Sequence, residues 1–348
     1  MELLRQLVEM SGISGREDRV RKLIIEELKP LVDEITVDQM GNVIGFKKGT
    51  GKAPASGRKK LMLAGHMDEI GFVVSYIDDK GFLRIQPLGG FDPRTLMAQR
   101  VTVLGKRDLP GVIGSKPIHI LTEEERKKHL DIKDYFIDLG LSKEQVMELV
   151  SIGDPVTMHR KMEEIGDSVT CKTMDDRVGV YCMVEAVRKA KKSTADLYVV
   201  ASTQEEVGLR GATAAASGIE PDVGIAVDVT LANDVPGAGG PDEISHLGGG
   251  TSLGLLNGSH ISNPKLVARF IELAEKKKIP FQKDVLPRGG TDAGGIQKAK
   301  GGPAVLTLSI PCRYVHTTVE MVNKADVQAT IDLLAAYIAD PGDMDYRL

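Results

Sequence analysis

The sequence predicts an α/β protein, with a mixed sheet flanked by helices and a small β-rich domain inserted into it. From about residue 175 to residue 339, helical and strand-like patterns alternate. Over residues 69–164 this alternation stops, and short strand-like pieces are separated by Gly, Pro and Asp turns. The chain has 348 residues and is longer than most single domains. We therefore predict one domain from residues 1–68 and 165–348, and an inserted β-rich domain from residues 69–164.

The first part of the larger domain is predicted to hold two helices and three strands. Apolar residues recur at helical spacing over residues 3–8 and again over 16–32, with a Gly-containing break at 12–15. Strands are expected over 35–37, 43–46 and 60–64.

The second part of the larger domain alternates between helices and strands. Asn263 is expected to cap one of the helices. The predicted helices cover residues 175–190, 208–217, 264–278 and 324–339, and the predicted strands cover 197–202, 224–228 and 304–310. In the insert, the pieces FVVSYI, FLRIQPL, RVTVLG and GVIGS read as strands, and one helix is expected over 143–150 with Ser142 as its cap.

Composition narrows the classes of function. The net charge is −4, with 45 basic and 49 acidic residues, which argues against a nucleic-acid partner. No apolar run approaches the roughly 18 residues of a membrane span, so no membrane partner is predicted. The N-terminal segment carries acidic residues and is predicted to be a helix and not a signal peptide. We therefore expect a cytoplasmic protein. The three cysteines are scattered without a CxxC pair, so any metal ligands should be His and carboxylate.

Two adjacent glutamates, Glu205 and Glu206, close an apolar strand. Two carboxylates at a buried strand end would repel each other and lose hydration unless cations compensate them. Alternatively, both could face solvent at an ordinary strand-to-loop edge.

Other metal-type ligands follow other strands. His66 and Asp68 come after one strand, two residues apart, which fits a metal ligand and the acid that orients it. Asp228 ends another strand, and His316 follows the last one. Asp175 opens a helix, where it could bridge two cations or serve only as a capping acid.

Together these residues form a donor set for two metal ions. Two histidines and three carboxylates suit Zn²⁺, Co²⁺ or Mn²⁺. Such a site activates water and polarises a carbonyl, and it needs one further carboxylate for proton transfer. We assign Glu206 to the metals and Glu205 to the role of general base. The full ligand set is His66, Asp175, Glu206, Asp228 and His316.

Six segments, in order along the chain, resemble the tetrahedral (TET) aminopeptidases, whose members include glutamyl aminopeptidases and proteins described as cellulase-like. These segments are GHMDEIG, MDDRVG, TQEEVGLRGA, AVDVT, GGTDAGG and YVHTTVE. The resemblance covers nearly the whole chain and implies a zinc-exopeptidase-like fold with two metal ions. The resemblance also implies a role for each site residue. Asp175 bridges the two ions, His66 and Asp228 bind one of them, and Glu206 and His316 bind the other. Asp68 orients the His66 ring, and Glu205 is the general base.

The resemblance has further implications for geometry and assembly. A cis peptide is expected between Asp175 and Asp176. The insert is expected to be a PDZ-like dimerisation domain. Twelve copies, built from dimers, are expected to form a hollow tetrahedron whose chamber admits short peptides.

The predicted function is therefore a metal-dependent aminopeptidase that removes N-terminal residues from short peptides, with zinc or cobalt as the metal. An N-acyl-amino-acid deacylase of the same clan is the nearest alternative. A glycoside hydrolase, which needs two carboxylates and no metal, and a non-catalytic assembly protein rank lower.

The substrate pocket is less specified by the sequence. The segment with Gly290, Thr291 and Asp292 resembles a loop that forms the wall of a substrate pocket. The same sequence is also typical of a Gly-rich turn that leads into a helix. Arg210 could neutralise nearby acids or meet an acidic substrate side chain. The sequence leaves open the preferred N-terminal residue of the substrate, the native metal and the choice between a dodecamer and a smaller oligomer.

Overall fold

A computed structural model describes residues 1–51, 57–238 and 240–348. It contains a large mixed sheet with helices on both faces and a separate closed β-barrel, which confirms the predicted α/β class. The helices are α1 (Glu2–Glu9), α2 (Asp18–Leu28), α3 (Glu123–Arg126), α4 (Lys143–Leu149), α5 (Met174–Ala190), α6 (Arg210–Ile219), α7 (Pro264–Lys277), α8 (Asp292–Gln297) and α9 (Lys324–Ala339). The strands are β1 (Glu34–Val37), β2 (Val43–Lys47), β3 (Lys60–His66), β4 (Gly71–Ile77), β5 (Leu83–Leu88), β6 (Arg100–Leu104), β7 (Asp108–Gly114), β8 (Phe136–Asp138), β9 (Pro155–Met158), β10 (Glu163–Ile165), β11 (Ser168–Cys171), β12 (Asp196–Ser202), β13 (Val223–Leu231), β14 (Thr251–Leu256), β15 (Phe281–Val285), β16 (Ala304–Arg313) and β17 (Glu320–Asn323).

The centre of the large sheet is parallel. Strands β12, β3, β13 and β16 lie side by side and run in one direction, while antiparallel strands flank them. Ser202 at the end of β12 pairs with His66 at the end of β3. Because parallel strands end at the same edge of a sheet, residues that follow them meet there.

Both faces of the sheet are covered, which explains why its central strands are apolar throughout. In β3, Leu61 and Leu63 pack into the core formed with α1, α2, α5, α7 and α9. The alternate residues Met62 and Ala64 pack on the other face against α6 and α8. The strand period of two therefore divides one apolar run between two cores.

The insert forms a closed barrel of strands β4, β5, β8, β7, β6 and β9, in that order. It has its own apolar core, which includes Phe72 and Ile137. Helix α4 begins where it was predicted, with the Ser142 hydroxyl accepting the N–H of Gln145 at 3.4 Å. The chain returns to the large sheet at β10, slightly before the predicted boundary at 164. The PDZ-like description of the barrel stays a prediction.

Six elements of the large sheet and its flanking helices were not predicted, namely strands β10, β11, β14, β15 and β17 and helix α8. Strand β15 has the sequence FQKDV, and its one fully buried residue is the polar Asp284, so it lacks the apolar pattern of a buried strand. Helix α8 has six residues and contains two glycines, too short for a periodic signal. Within the described ranges, no helix combines the length and apolarity needed to cross a membrane.

Candidate metal centre

The carboxyl edge of the parallel strands brings together the acids and histidines that the sequence singled out. All but one are contributed by strand ends, by the loops that follow, or by the start of a helix. The exception is Asp228, because β13 continues to Leu231, past the strand end predicted at residue 228. The residues are His66 at the end of β3, Glu205 and Glu206 after β12, Asp228 in β13, Asp175 at the start of α5 and His316 after β16.

Asp175 lies between the two histidine rings. One of its carboxylate oxygens is 3.0 Å from Nε2 of His66, and the other is 3.3 Å from Nε2 of His316. Burial would raise the pKa of Asp175, but the contacts with His316 and His66 outweigh burial and lower it. The cis peptide expected between Asp175 and Asp176 is present. Asp175 is therefore placed so that two cations could share it.

The ring of His66 faces acceptors on both nitrogens. Its Nδ1 is 3.0 Å from the main-chain oxygen of Asp68, which can only accept, so Nδ1 carries the hydrogen in the neutral ring. Nε2 then directs a lone pair at the Asp175 carboxylate. Burial would lower the pKa of His66, but Glu205 and the contacts with Asp175 and Asp68 outweigh it and raise the pKa. The Nε2 lone pair and the neighbouring carboxylate oxygens are all acceptors, and a divalent cation between them would bind them together. The ring is therefore suited to be a metal ligand.

Glu206 completes the other side of the cluster. Its Oε2 is 3.4 Å from Nε2 of His316, while its buried Oε1 has no hydrogen-bond partner. A buried carboxylate oxygen without a donor is costly unless a cation meets it. Donor atoms of His66, Asp175 and Glu206 all lie within 4.8 Å of one another, which is the spacing of a metal site.

A second group of donor atoms within 4.8 Å contains His66, Asp176 and Asp228. Asp176 is already occupied, however, because its carboxylate accepts the N–H of His66 at 3.1 Å and the N–H of Gly179 at 3.1 Å. Burial and repulsion from Asp228 raise the pKa of Asp176. Asp176 thus acts as a capping acid beside the cluster, while Asp175 contacts both histidines.

Asp68 connects the histidine to the glutamate pair. Its carboxylate accepts the N–H of Glu205 at 3.0 Å, the N–H of Glu206 at 3.3 Å and the hydroxyl of Ser14 at 2.6 Å. Its Oδ1 is also 3.5 Å from Nδ1 of His66. Burial would raise the pKa of Asp68, but the contacts with His66, Ser14 and Glu205 outweigh it and lower the pKa. Asp68 therefore contacts one candidate ligand and holds the backbone of both glutamates.

Glu205 lies beside the cluster. Its side chain is about one-tenth exposed, and Oε2 is 3.8 Å from Nε2 of His66. Burial raises the pKa of Glu205, and repulsion from Asp228 and Glu206 adds to the rise, against the attraction of His66. A carboxylate with a raised pKa at the edge of such a cluster is suited to proton transfer.

Comparison with known proteins identifies the family. A model of the M42 glutamyl aminopeptidase family matches residues 41–333 of the chain. The chain belongs to the M42 family. This confirms the resemblance to the TET aminopeptidases and makes the protein a hydrolase of the aminopeptidase class. M42 peptidases are metal-dependent, in keeping with the donor groups described above.

The M42 relatives match over almost their whole length. The lysyl aminopeptidase of Pyrococcus furiosus is 38% identical, over 99% of this chain and 98% of its own. An aminopeptidase from the archaeon Desulfurococcus kamchatkensis has a solved structure that is 42% identical, with a TM-score of 0.92, over 97% of this chain and 94% of its own. The TET1 peptidase of Pyrococcus horikoshii, described as able to assemble into a tetrahedron or a large octahedral shell, is 32% identical with a TM-score of 0.86, over 97% and 99% of the two chains.

The structure of this M42 peptidase adds a residue that sequence reasoning missed. Glu320 is buried, and its carboxylate accepts the N–H of Asp175 at 3.0 Å and the N–H of His316 at 2.7 Å. Burial and repulsion from Asp175 raise its pKa to about 8. The segment YVHTTVE contains Glu320, but only the fold shows that it joins two candidate ligands.

A cavity of about 590 Å³ opens from the metal centre of this M42 peptidase. Gly290 lines it, whereas Thr291 and Asp292 are buried and do not line it, and a pocket-wall role for these residues stays a prediction. Arg210 does not line it either. That side chain is exposed at the start of α6 and donates to the Gln204 side chain at 3.4 Å.

Proposed function

We propose that this M42 aminopeptidase removes N-terminal residues from short peptides by means of a two-metal centre, with Glu205 as general base. The observation that supports this most strongly is the position of Asp175, with one carboxylate oxygen 3.0 Å from His66 and the other 3.3 Å from His316. In the proposed arrangement, His66 and Asp228 would hold one ion, Glu206 and His316 would hold the other, and Asp175 would contribute to both.

The donor set suits two divalent ions of the borderline class, zinc or cobalt. When bound, the ions lower the pKa of a water molecule and polarise the scissile carbonyl. Neutral imidazoles and ionised carboxylates are the required forms of the ligands, so the ions would displace the protons that the cluster otherwise holds.

Glu205 moves the proton in this mechanism. Its carboxylate accepts a proton from the attacking water and then delivers it to the leaving amine of the shortened peptide. The hydrogen bond from the Glu205 N–H to Asp68 fixes the start of the side chain. Acids beside the centre hold the free ammonium of the substrate, which limits the reaction to peptides with an unblocked N-terminus.

We further propose that the protein works as a homododecamer built from dimers, with the barrel as its dimerisation domain. The similarity to the Pyrococcus horikoshii TET1 peptidase, which spans 97% of this chain, supports this. Sedimentation or light scattering of the whole protein tests the assembly independently of its activity.

The test of the proposed activity is a paired assay. Free and N-acetylated forms of the same short peptides are offered to the metal-loaded enzyme, to the chelated enzyme and to chelated enzyme with single metals restored. We expect hydrolysis of the free peptides only, lost on chelation and recovered with zinc or cobalt. Hydrolysis of the acetylated peptides would favour the deacylase, and chelator-resistant cleavage of a glycoside would favour the glycoside hydrolase.

A further inference from the structure

The turn that carries Glu205 and Glu206 is held by side chains from outside the turn. Four consecutive N–H groups each donate to a buried side-chain oxygen, and these oxygens come from three separate parts of the chain. The donor and acceptor residues are Thr203 with Asn42 at 2.9 Å, Gln204 with Glu17 at 3.3 Å, Glu205 with Asp68 at 3.0 Å and Glu206 with Asp68 at 3.3 Å. Asp68 is therefore one of three side chains that fix this turn.

The opposite side of the turn is tied to the start of helix α6. The main-chain oxygen of Thr203 accepts the N–H of Gly211 at 3.0 Å, and the main-chain oxygen of Glu205 accepts the N–H of Gly208 at 2.8 Å. Between them, Gln204 has a φ of +54°, a left-handed conformation that is unfavourable for a residue with a side chain. Such a conformation persists only where the surroundings hold it. The N–H of Gln204, which donates to Glu17, belongs to this strained residue.

Glu17 stands at the start of helix α2 but does not cap it. An acid at this position usually accepts an N–H from the first turn of its own helix. No main-chain N–H of α2, all of whose residues are described, donates to the Glu17 side chain. The side chain is 1% exposed, and its Oε1 accepts the N–H of Gly15 at 2.7 Å and the N–H of Gln204 at 3.3 Å. Glu17 thus joins the N-terminal segment to the turn that carries the two glutamates.

Glu17 supplies this turn with an acceptor oxygen more than with a charge. Burial raises the pKa of Glu17 to about 7, and repulsion from Asp68 adds to the rise, against the hydrogen bond from Gly15. The guanidinium of Arg21 is 3.9 Å from Oε2, too far for a hydrogen bond. Near neutral pH the carboxyl is therefore present both with and without its proton, and each form keeps an acceptor for the two N–H groups.

Asn42 supports the same turn at its beginning. Its fully buried side chain accepts the N–H of Thr203 at 2.9 Å and donates to the main-chain oxygen of Gly211 at 3.0 Å and to Asp38 at 2.6 Å. Because Asn42 connects several segments, its replacement would disturb all of them. Glu17 is the cleaner probe of the turn, since a single oxygen makes its hydrogen bond to Gln204.

We propose that Glu17 is a positioning residue for the general base. By holding the N–H of Gln204, it keeps the turn in the shape that directs the Glu205 carboxylate toward the metal centre. This inference rests on the proposed function. Glu206 would be fixed further by the ion that it binds, whereas Glu205 is directed by its backbone. Loosening the turn should therefore slow the step that Glu205 performs and leave the binding of substrate and metal largely unchanged.

The test compares two substitutions of Glu17 that differ in whether an acceptor oxygen is kept. Glu17→Gln keeps Oε1 and the shape of the side chain, whereas Glu17→Met keeps the length and removes the acceptor. On a free-amine peptide, Glu17→Met should lose about 10- to 100-fold in kcat, the effect of misplacing a reacting group by about 1 Å. Its KM and its metal content per subunit should stay within about twofold of the wild type. Glu17→Gln should retain most of the wild-type kcat.

Asp18→Asn is the matched control, because Asp18 is the next acid along the chain, is exposed and pairs with Arg21 at 2.6 Å on the surface of α2. It should leave kcat and KM unchanged. Thermal melting of each variant shows whether it is folded at the assay temperature. If Glu17→Met does not fold, Glu17→Asp takes its place. That variant keeps the charge but draws the carboxylate back by one methylene group, so its kcat should fall as well.

Wild-type kcat in the folded variant, Glu17→Met or its replacement Glu17→Asp, would overturn the positioning role of Glu17. Equal losses of kcat in Glu17→Gln and Glu17→Met would also overturn it, and so would a variant whose main defect is a raised KM or lost metal. In each of these cases the wild-type enzyme still cleaves free-amine peptides, so the proposed function would stand. A metal-loaded wild type without activity on any free-amine peptide would instead count against the proposed function.

Discussion

At the scale of single residues, Asp68 anchors the two adjacent glutamates for which we propose different roles. Its carboxylate holds the backbone N–H of both Glu205 and Glu206, so it fixes where each side chain begins. Its third donor, the Ser14 hydroxyl at 2.6 Å, comes from the N-terminal segment. The loop before α2 therefore supports the catalytic edge from outside the sheet.

Ser14→Ala should lower kcat while leaving the metal content unchanged. The substitution removes a donor to Asp68, so Asp68 and the Glu205 backbone are held less firmly. Outer-shell contacts of this kind typically change activity by about 10- to 100-fold, and we expect the lower end of that range. The measurements are kcat and KM on a free-amine peptide, together with metal per subunit.

Ser217→Ala is the control for Ser14→Ala, because the Ser217 hydroxyl donates to the main-chain oxygen of Thr213 on the exposed side of α6. It should leave kcat unchanged. A Ser14→Ala enzyme with wild-type kcat, or one that lost its metals, would contradict a purely positioning role for Ser14.

At the scale of elements, helix α5 must approach β13 closely for Asp175 to reach both histidines. Gly179 permits this approach, since an added Cβ would lie 2.2 Å from Oδ1 of Asp176 and 2.5 Å from the main-chain oxygen of Val227. A side chain there would displace either the capping carboxylate or the whole helix.

Gly179→Ala should therefore destabilise the fold by about 1–3 kcal/mol, the usual cost of overpacking, and weaken metal binding. Gly218→Ala is the matched change, because that glycine lies in helix α6 with nothing within 4 Å of an added Cβ. It should be neutral or stabilising by up to about 1 kcal/mol. Thermal denaturation and metal titration of both variants check the pair, and equal effects would refute the packing argument.

Elements with a strong local signal could be predicted from the sequence. Asn263 caps α7 through hydrogen bonds from the N–H groups of Lys265 and Leu266, as its position before an apolar helix indicated. Strand β15 could not be predicted, because its partner β14 supplies the pairing that its own polar sequence does not suggest.

The same division applies to the site. His66, Glu206 and His316 end or follow strands with clear apolar patterns, so the parallel sheet brings them together. Glu320 takes its position from contacts between segments distant in sequence, because it accepts the N–H of Asp175 in α5 and the N–H of His316. No local pattern encodes such contacts.

At the scale of the whole molecule, the buried acids make stability depend on metal and on pH. Burial raises the pKa of Glu320 to about 8 and that of Asp292 to about 6. Both carboxyls titrate near about 4 in an unfolded chain. At a pH between the unfolded-state pKa and the raised folded-state pKa of each carboxyl, the folded protein binds more protons than the unfolded chain. The free energy of unfolding therefore falls as the pH rises. His316 acts in the same direction. Burial opposes its protonation, but Asp175 and Glu206 raise its pKa to about 12.

The chelated protein should therefore lose thermal stability as the pH rises from about 5 to about 8, the window set by these shifts. Restoring metal should raise the melting temperature most at the upper end, because bound cations replace the missing protons. Melting curves of chelated and metal-loaded protein across this pH range test this dependence on pH and metal. A chelated protein that gains stability toward pH 8 would contradict it.

We propose that Glu206 holds a metal ion while its neighbour Glu205 moves the proton. Glu205→Gln and Glu206→Gln make the same chemical change one residue apart. Measuring the metal content per subunit and kcat of both variants therefore distinguishes metal binding from proton transfer. We expect Glu205→Gln to keep two ions per subunit and to lose about a thousandfold or more in kcat, while Glu206→Gln should lose metal as well as activity. A Glu205→Gln enzyme with near wild-type kcat, or one that loses its metal as Glu206→Gln does, would contradict this proposal.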